Sequence, residues 1–298
     1  MYCTTPGWVR WWVAILIILI GSLILSPIFP PAHAKDATDT LVIGVFPRRS
    51  VKETIAAFTP LQQYLQKSLH RKVRLEAAPD FEQFWQRLIQ GRYDLVHYNQ
   101  YHYVRTHREL GYRLVGKNEE NGGSEAVSSI NVLSDSGITR LQDLKGHKIL
   151  FGGGPMAMMS YLVPTFLLRQ AGLSAGSYQE GFARNSPNAL IALYLHQGDA
   201  AAIGDSADHL SEVSEICDID KFRPLAVSQP LAHLPWAVKP DMSAKMRIQI
   251  QAALLGLNQT DNGRHVLERA HLSAIVRARD SDYDVHRTII KKVLNEVY

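Results

Sequence analysis

The chain has 298 residues, of which 46% are hydrophobic and 20% are charged, and its formal net charge is +4. This composition is typical of a globular protein and excludes collagen-like repetition and extensive disorder. Because both signs of charge are mixed along the chain and no basic block stands out, we expect no nucleic acid partner.

The N-terminal segment has the pattern of a secretory signal peptide. Arg10 precedes an uncharged apolar run, and Ala32 and Ala34 form a small-residue cleavage site before charge resumes at Lys35. We therefore expect residues 1–34 to be removed and the remainder to be periplasmic. The apolar run is close to the ~18 residues that span a membrane, so an uncleaved anchor is the alternative. Because Cys3 lies in this segment, the mature chain would keep only Cys217 and no internal disulfide.

Strand and helix patterns alternate after the signal, starting with the apolar run Leu41–Phe46. Strands are predicted at Lys72–Ala78 and Tyr93–Tyr98, and Asp80 is an expected helix N-cap. Between these strands, apolar residues recur at the spacing of one helix face. They are Phe58, Leu61, Leu65 and Leu69 in the first case, and Phe81, Phe84, Trp85 and Leu88 in the second. This alternation predicts a mostly parallel sheet covered by helices.

A second α/β unit is predicted to begin near Ser128–Ile138, and Asn188–Ser206 repeats a helix-turn-strand pattern. Pro230–Asp241 is interpreted as leading into helices that continue to Tyr298 and pack on the first unit. Two such units that are joined by more than one chain connection indicate a cleft between them and a hinge about which they can close. Ligands of open α/β sheets bind beyond the carboxyl ends of strands. Three loops qualify, namely Pro47–Ser50, Tyr98–Tyr103 and Gly152–Ser160.

The glycine loop 152–154 leads into an apolar, helix-like run that contains Pro164. Because proline fits only the first turn of a helix, we expect the helix to start near Ser160, with Ser160 as its N-cap. The amides around Met158–Leu162 would then face the cleft and bind an anion through backbone alone. The alternative is that the glycines only let the strand turn. The glycine loop does not match the complete P-loop motif or the complete dinucleotide-binding motif. We therefore expect no cofactor.

The segment after the third predicted strand is rich in tyrosine and histidine. Tyrosine hydroxyls and neutral imidazoles donate to oxyanions or stack on flat ligands, so we expect Tyr98, Tyr101 and Tyr103 to face the cleft. The histidines at 97, 102 and 107 are five residues apart, which does not keep them on one helical face and argues against a metal site.

Several charged residues have two open interpretations. Arg48 and Arg49 either attract an anion at the cleft rim or are solvated turn residues. Asp205 either accepts from a ligand or caps the following helix. The glutamates at 119, 120 and 125 are interpreted as a solvated acidic loop. Because no G-x-S-x-G, H-E-x-x-H or C-x-x-C motif is present, the sequence gives little support to an enzyme.

Six segments in chain order carry a resemblance to a known family: GVFPRRSVKETIAAFTPLQQYLQKSL, YDLVHYNQYHYV, SDSGITRLQDLKGHKILFG, SYLVPTFLLRQAGL, QGDAAAIGDS and LPWAVKP. From Leu41 onwards the chain resembles the phosphate/phosphite/phosphonate-type substrate-binding proteins of bacterial ABC transporters. The resemblance implies an α/β, two-lobed periplasmic-binding-protein fold of type II that closes on a small oxyanion. It also implies delivery to an ABC permease in the inner membrane and no catalysis.

The chain departs from the family at the ligand loop. Phosphonate-binding members carry Ser-Thr-Ser where this chain has Ala157, Met158 and Met159, and a family histidine falls near Pro187. Asn99 and Gln100 replace the usual Gly-Pro, whereas Tyr103 matches a family tyrosine. Each lost charge-assisted hydrogen bond costs roughly 1.5–3 kcal/mol. We therefore expect weak binding of phosphate and alkylphosphonates, and a softer or less charged ligand lined by Met and Tyr.

These observations predict a monomeric, exported solute-binding protein with lobe 1 at 35–130 and 231–298 and lobe 2 at 131–230. A sensor subunit of a membrane histidine kinase and a metal-binding protein of the same fold are the alternatives. The expected ligand-binding residues are Arg48, Tyr98, Tyr101, Tyr103, Ala157, Met158, Met159, Ser160 and Asp205.

Overall fold

The computed structural model describes residues 40–204 and 211–298. The expected signal peptide and the candidate ligand residue Asp205 lie outside the described residues. Residues 40–298 form one compact unit. Within the described part of the chain, no helix combines the length and apolarity needed to cross a bilayer.

The first lobe contains a six-stranded sheet made of β1 (Leu41–Val45), β2 (Val73–Ala77), β3 (Leu95–His97), β4 (Arg113–Glu119), β12 (Pro235–Val238) and β13 (Ala274–Val276). The strand order is β13-β4-β12-β3-β1-β2. β1 is parallel to β2 and β3, whereas β12 is antiparallel to both β3 and β4. The three predicted strands of this lobe are confirmed, but the sheet is mixed rather than mostly parallel.

The helices of this lobe are α1 (Val51–Ser68), α2 (Phe81–Ile89), α3 (Gln100–Leu110), α7 (Ala244–Leu255), α8 (Asp261–Arg269) and α9 (Asp284–Leu294). α1 begins with a capping box in which Ser50 and Glu53 bond each other's backbone amides. Its buried side includes Phe58, Leu61 and Leu65, as their helical spacing predicts. Asp80 caps α2 by accepting from the Gln83 amide at 2.7 Å, which confirms its predicted role.

The second lobe contains a five-stranded sheet made of β6 (Ser129–Leu133), β7 (Lys148–Phe151), β8 (Gln179–Phe182), β9 (Ala200–Ile203) and β10 (Phe222–Val227). The order is β10-β6-β9-β7-β8. β7 is parallel to β8 and β9, and β6 is antiparallel to β9 and β10. The helices are α4 (Val163–Gln170), α5 (Ser186–Tyr194) and α6 (Ser211–Ser214).

A short pair of strands marks where the chain crosses between the lobes. β5 (Glu125–Ala126) pairs with β11 (Leu231–Ala232) in antiparallel register. The chain leaves the first sheet after β4 and returns to it at β12, so these two strands lie on the outgoing and returning connections. This pairing is consistent with a hinge between the two lobes.

Residues 235–298 contribute two strands to the first sheet that the sequence pattern did not reveal. The interpretation of Pro230–Asp241 as a lead into helices is wrong at residues 235–238, because these form β12 in the middle of the first sheet. All four residues of β12 are buried, so the segment lacks the polar-apolar alternation of a half-exposed strand. β13 adds three residues at one end of the sheet, too few for a periodic signal.

Candidate ligand-binding cleft

The loops that follow the strands of both lobes come together between the sheets. In the first lobe β1 leads to residues 46–50 and β3 leads to residues 98–99. In the second lobe β7, β8 and β9 lead to residues 152–157, residues 183–185 and Gly204. These are carboxyl ends of parallel strands, where open α/β sheets bind their ligands.

Asn99 bonds the two lobes to each other. Its Oδ1 caps α3 by accepting from the amide of His102 at 3.0 Å, and the His102 Nδ1 lies 3.0 Å from the same oxygen. Its Nδ2 donates to the backbone carbonyl of Met156 at 3.0 Å. Because the oxygen faces His102, the amide nitrogen is directed at the glycine loop of the other lobe.

The three glycines have different structural roles. A Cβ on Gly152 would lie 2.8 Å from the Ser186 Cα, and one on Gly153 would lie 2.7 Å from the Ala157 Cβ. A Cβ on Gly154 would meet nothing within 4 Å. None of the three has a positive φ. The first two glycines therefore permit close packing of the loop against the starts of the following helices, rather than a left-handed turn.

The predicted start of the helix near Ser160 is wrong by two residues. A π-helical turn spans Met158–Leu162 and continues directly into α4, so Ser160 lies within the first turn and Ala157 takes the N-cap position without a side-chain bond. The Leu162 amide donates to the Ala157 carbonyl at 3.1 Å, a five-residue spacing. Pro164 explains the wide turn, because its ring conflicts with the carbonyl four residues earlier and it has no amide to donate.

The start of this helix is enclosed between the lobes. The amides of Met158, Met159 and Ser160 occupy the first three helical positions, which have no intrahelical acceptor and lie at the positive end of the helix dipole. All three residues are buried, and the two methionines belong to the hydrophobic cluster that contains the first-lobe tyrosines. Gly204 packs against the same turn, since a Cβ there would lie 2.8 Å from the Met159 Cβ.

The three tyrosines lie in that cluster, but two of their hydroxyls have partners elsewhere. The Tyr101 hydroxyl donates to Glu296 at 2.9 Å, and the Tyr103 hydroxyl donates to Asp280 at 2.8 Å. Burial raises the pKa of Tyr98 and of Tyr103 well above the usual range. The Tyr98 hydroxyl is buried and has no hydrogen-bond partner among the described residues. Tyr98 is thus the member of the three whose hydroxyl has no carboxylate partner among the described residues, and its ring is buried against Phe84, Tyr103 and Tyr112.

Glu120 joins a polar cluster at the carboxyl edge of the first sheet and is not a member of a solvated acidic loop. It lies 3.4 Å from Arg48, accepts from the Asn118 amide at 3.0 Å and lies 3.7 Å from the His233 Nε2. Burial alone would raise the pKa of Glu120, but Arg48, His233 and Asn118 together lower it to about 2. Sequence reasoning missed this cluster, because Asn118 and His233 are far apart in the chain.

His97 lies beside this cluster and faces a cavity of about 20 Å³, room for roughly one water molecule. Its ring stacks on Trp236 with centroids 4.4 Å apart, and neither ring nitrogen has a partner among the described residues. Trp236 donates to the Asn118 Oδ1 at 2.8 Å. Burial lowers the pKa of His97 to about 3, so the imidazole is neutral. Arg48 and Arg49 also line the cavity.

Arg184 of the second lobe lies near the start of α1 in the first lobe. Hydrogen bonds from the Ser50 hydroxyl and amide lower the pKa of Glu53, and the charges of Arg184 and Arg49 lower it further. Arg184 follows β8, in a loop that the sequence did not single out. Arginines from both lobes therefore lie around the loops after β1 and β8.

Metal ligands are not grouped at this interface. Among the described residues, no set of three or more His, Cys, Asp or Glu side chains is arranged to hold a metal ion. His97 and His102 are separated by aromatic side chains: Phe46 packs on His97, and Phe81 stacks on His102 with centroids 5.5 Å apart.

The sequence matches the family model described as "ABC transporter, phosphonate, periplasmic substrate-binding protein" over residues 43–283. A curated relative, the phosphonates-binding periplasmic protein of Escherichia coli strain K12, is 23% identical over 253 residues. That alignment covers 82% of this chain and 74% of the relative.

Two solved structures are similar over nearly the whole described chain. XAC2383 from Xanthomonas citri bound to ATP has a TM-score of 0.74 and 18% identity, covering 88% of this chain and 100% of that one. PhnD1 from Prochlorococcus marinus MIT 9301, in complex with methylphosphonate, has a TM-score of 0.73 and 16% identity, covering 87% and 99%. At these identities the likeness shows the fold, and the expected two-lobed architecture is confirmed.

Proposed function

Because the chain belongs to the family of periplasmic substrate-binding proteins of phosphonate ABC transporters, we propose that it captures a small oxyanion-containing ligand between its lobes and delivers it to an inner-membrane permease. The expectation of a solute-binding protein is confirmed at the level of the family. Beyond the family assignment, we propose the chemical class of the ligand and the residues that bind it. We propose no catalytic activity for the chain.

One observation carries this proposal. The Asn99 side chain of the first lobe bonds the Met156 carbonyl of the second, at the loop that precedes the helix start. A ligand held at that helix start would therefore contact both lobes. A solute-binding protein captures its ligand in this way, by holding it between two lobes that close over it.

The proposed anion subsite consists of the amides at residues 158–160. Backbone amides at a helix start bind anions without a positive side chain. Arg48 and Arg184 add positive charge at the rim, although Arg48 already lies against Glu120. Ala157, Met158 and Met159 supply no hydroxyl donors. We therefore propose that phosphate and alkylphosphonates bind with lower affinity than they would to a Ser-Thr-Ser loop.

The rest of the ligand would meet an apolar and aromatic surface. Met158 and Met159 are polarizable and fill irregular spaces, and Tyr98 adds a buried ring with an unpartnered hydroxyl. Tyr101, Tyr103 and Asp205 complete the proposed site, the first two through their rings. We propose a ligand whose acidic group is joined to a larger apolar part.

Calorimetry on the chain beginning at Lys35 tests this function. The titrants are inorganic phosphate, methylphosphonate, phenylphosphonate and benzenesulfonate. We expect the aryl acids to bind at least tenfold more tightly than phosphate. Sub-micromolar binding of methylphosphonate would overturn the ligand assignment, and binding of none of the four would overturn the oxyanion class. We also propose that the second lobe begins just before β6, because the boundary expected at residues 130–131 falls inside that strand, and that it ends at residues 230–231, between β10 and β12.

A further inference from the structure

A cavity of about 380 Å³ lies between the two lobes, outside the ligand loops. It is lined by α4 of the second lobe, α9 of the first lobe and residues 228–231 of the connection that returns to the first lobe. Ligand pockets usually have volumes of about 300–1,000 Å³, so this cavity has room for a small molecule, unlike the cavity of about 20 Å³ beside His97. Among the described residues that line it, Val163 is the nearest in the chain to the glycine loop. The cavity is therefore distinct from the proposed anion subsite at residues 158–160.

The cavity has an apolar interior and an uncharged polar rim. Its buried lining residues are Val163, Leu231 and Ile289, and Phe166 and Leu167 add half-buried apolar surface. The polar lining residues are Gln170, Ser228, Gln229 and Thr288. Within the described part of the chain, no charged side chain lines the cavity. An ion would lose its hydration here without gaining a counter-charge, so the lining favours an uncharged occupant.

Two glutamines at the rim are free to bond an occupant. Gln170 and Gln229 are exposed, and neither side-chain amide bonds another described residue. The rim hydroxyls are already engaged, since Ser228 donates to the Gln229 carbonyl at 2.8 Å and Thr288 donates to the Asp284 carbonyl at 3.1 Å. A side-chain amide both donates and accepts hydrogen bonds. The rim therefore suits a molecule that has one polar group attached to an apolar body.

The cavity is preformed and open to solvent. The Arg169 guanidinium of α4 donates to the Lys292 carbonyl of α9 at 2.7 Å, a bond that ties the two helices together beside the cavity. Apolar side chains at the mouth face solvent: Val285, which lines the cavity, is 40% exposed, and Val227, next to Ser228, is 50% exposed. A small molecule therefore gains apolar contact here without first separating the helices.

We propose that this cavity is a second binding site, for an uncharged small molecule with an apolar body and one hydrogen-bonding group. The occupant contacts α4, α9 and β11, so it binds most tightly to the arrangement of the lobes in which Asn99 bonds Met156. α4 continues directly from the turn whose amides form the proposed anion subsite. Occupant and oxyanion therefore favour the same arrangement, and each raises the affinity for the other. This coupling rests on the proposed function, whereas the second site does not.

Calorimetry and methyl NMR test the proposal on the chain beginning at Lys35, which retains the whole compact unit of residues 40–298. The probe is naphthylmethanol, and naphthylmethylamine supplies the same ring with a positive charge at neutral pH. Thr288→Trp and Gln170→Trp each place an indole in the cavity from an exposed rim position, one on each helix. The matched control is Lys291→Trp, at an exposed position of α9 that is not among the lining residues. Circular dichroism checks that all the variants are folded.

We expect naphthylmethanol to shift the methyl resonances of Leu231 and Ile289 in the unmodified chain and in the control. Binding should be about tenfold weaker in the two rim variants, because the indole occupies the space, and about tenfold weaker for the ammonium, because it meets no counter-charge. No binding of naphthylmethanol, or equal affinity in the rim variants and the control, would overturn the second site.

The coupling has a separate measurement. Saturating naphthylmethanol should raise the affinity for phenylphosphonate by about fivefold in the unmodified chain, and should leave it unchanged in Thr288→Trp. An unchanged affinity in the unmodified chain would overturn the coupling alone. If naphthylmethanol binds and phenylphosphonate does not, the proposed oxyanion function fails and the second site stands.

Discussion

The Asn99 side chain donates to the Met156 carbonyl at 3.0 Å while its own oxygen caps α3. Replacing Asn99 with Ser keeps a good N-cap but shortens the side chain, so the bond between the lobes is lost. We expect the ligand-free protein to become more open, with a larger radius of gyration in small-angle scattering. The unfolding free energy should change by no more than about 1.5 kcal/mol.

Asn185→Ser is the control for this variant, because Asn185 caps α5 by accepting from the Asn188 backbone amide and forms no hydrogen bond to the other lobe among the described residues. It should leave the radius of gyration unchanged. If Asn99→Ser scatters like the unmodified protein, the lobes are held together by the methionine-tyrosine cluster rather than by this bond.

A negative charge at Met158 should abolish binding of any anion that uses the helix start. Met158→Asp places a carboxylate where the helix dipole would hold the ligand, whereas Met158→Asn introduces a side chain of the same size without charge. We expect calorimetry to detect binding in the Asn variant only. Because Met158 is 1% exposed, circular dichroism must show that both variants are folded. Equal affinities would mean that the loop only turns the chain.

The neighbouring glycines of the loop offer a matched pair for a packing test. Gly152→Ala places a methyl group 2.8 Å from the Ser186 Cα and 3.0 Å from the Ser186 amide nitrogen, and we expect a loss of about 1–3 kcal/mol in unfolding free energy. Gly154→Ala meets nothing within 4 Å and should be neutral or stabilising by up to about 1 kcal/mol. Urea denaturation distinguishes the two, and similar midpoints would contradict the close approach.

Stability should fall as the pH is lowered from 8 to 5. Burial lowers the pKa of His97, His102 and His286 to about 3, whereas an unfolded chain titrates near 6.5. Between these values the unfolded state binds more protons, which costs the fold about 2 kcal/mol per histidine at pH 5. Glu120 stays ionised across this range, since its pKa is about 2.

Urea midpoints at several pH values measure this slope. His97→Phe keeps an aromatic ring on Trp236 and should make the slope shallower, whereas His265→Phe, at a side chain that is 69% exposed, should not. A midpoint that does not change between pH 8 and pH 5 would show that the three imidazoles are not buried as described.

Processing of the N-terminus is tested by mass spectrometry of protein recovered from an exporting host. We expect Lys35 as the first residue, because Ala32 and Ala34 precede it at the positions that signal peptidase reads. Ala34→Arg should block cleavage. An intact N-terminus recovered only from membranes would favour the anchor instead.

The sequence predicts the elements that have strong local signals. The run at 41–46, the helical spacing of Phe58, Leu61 and Leu65, and the Asp80 cap all correspond to observed elements. β12 is missed because a fully buried four-residue strand has no alternation. The Ser160 cap is wrong because a π-helical turn lets Pro164 lie deeper in the helix than the usual first-turn rule allows.

The candidate site is harder to predict because its geometry depends on pairs far apart in the chain. The acidic residues next to Glu120 in the sequence lead to the prediction that its side chain is solvated. In the structure Arg48, Asn118 and His233 surround it instead. The hydroxyls of Tyr101 and Tyr103 are assigned to a ligand by their place after a strand, and the structure gives them carboxylate partners in the last twenty residues. The local sequence predicts where the tyrosine rings lie, but it does not predict the hydrogen-bond partners of the tyrosine hydroxyls.

The central position of β12 has a consequence for the order of folding. β12 pairs with β3 on one side and β4 on the other, yet the whole second sheet lies between β4 and β12 in the chain. The second sheet is contiguous and has the shorter loops to close, so it should form first as the chain emerges from the export channel. Until Val238 has emerged, β3 and β4 each have an unpaired edge, which is open to pairing with other chains. A chaperone that acts on this protein during export would therefore be needed most at the first lobe, although that lobe emerges first.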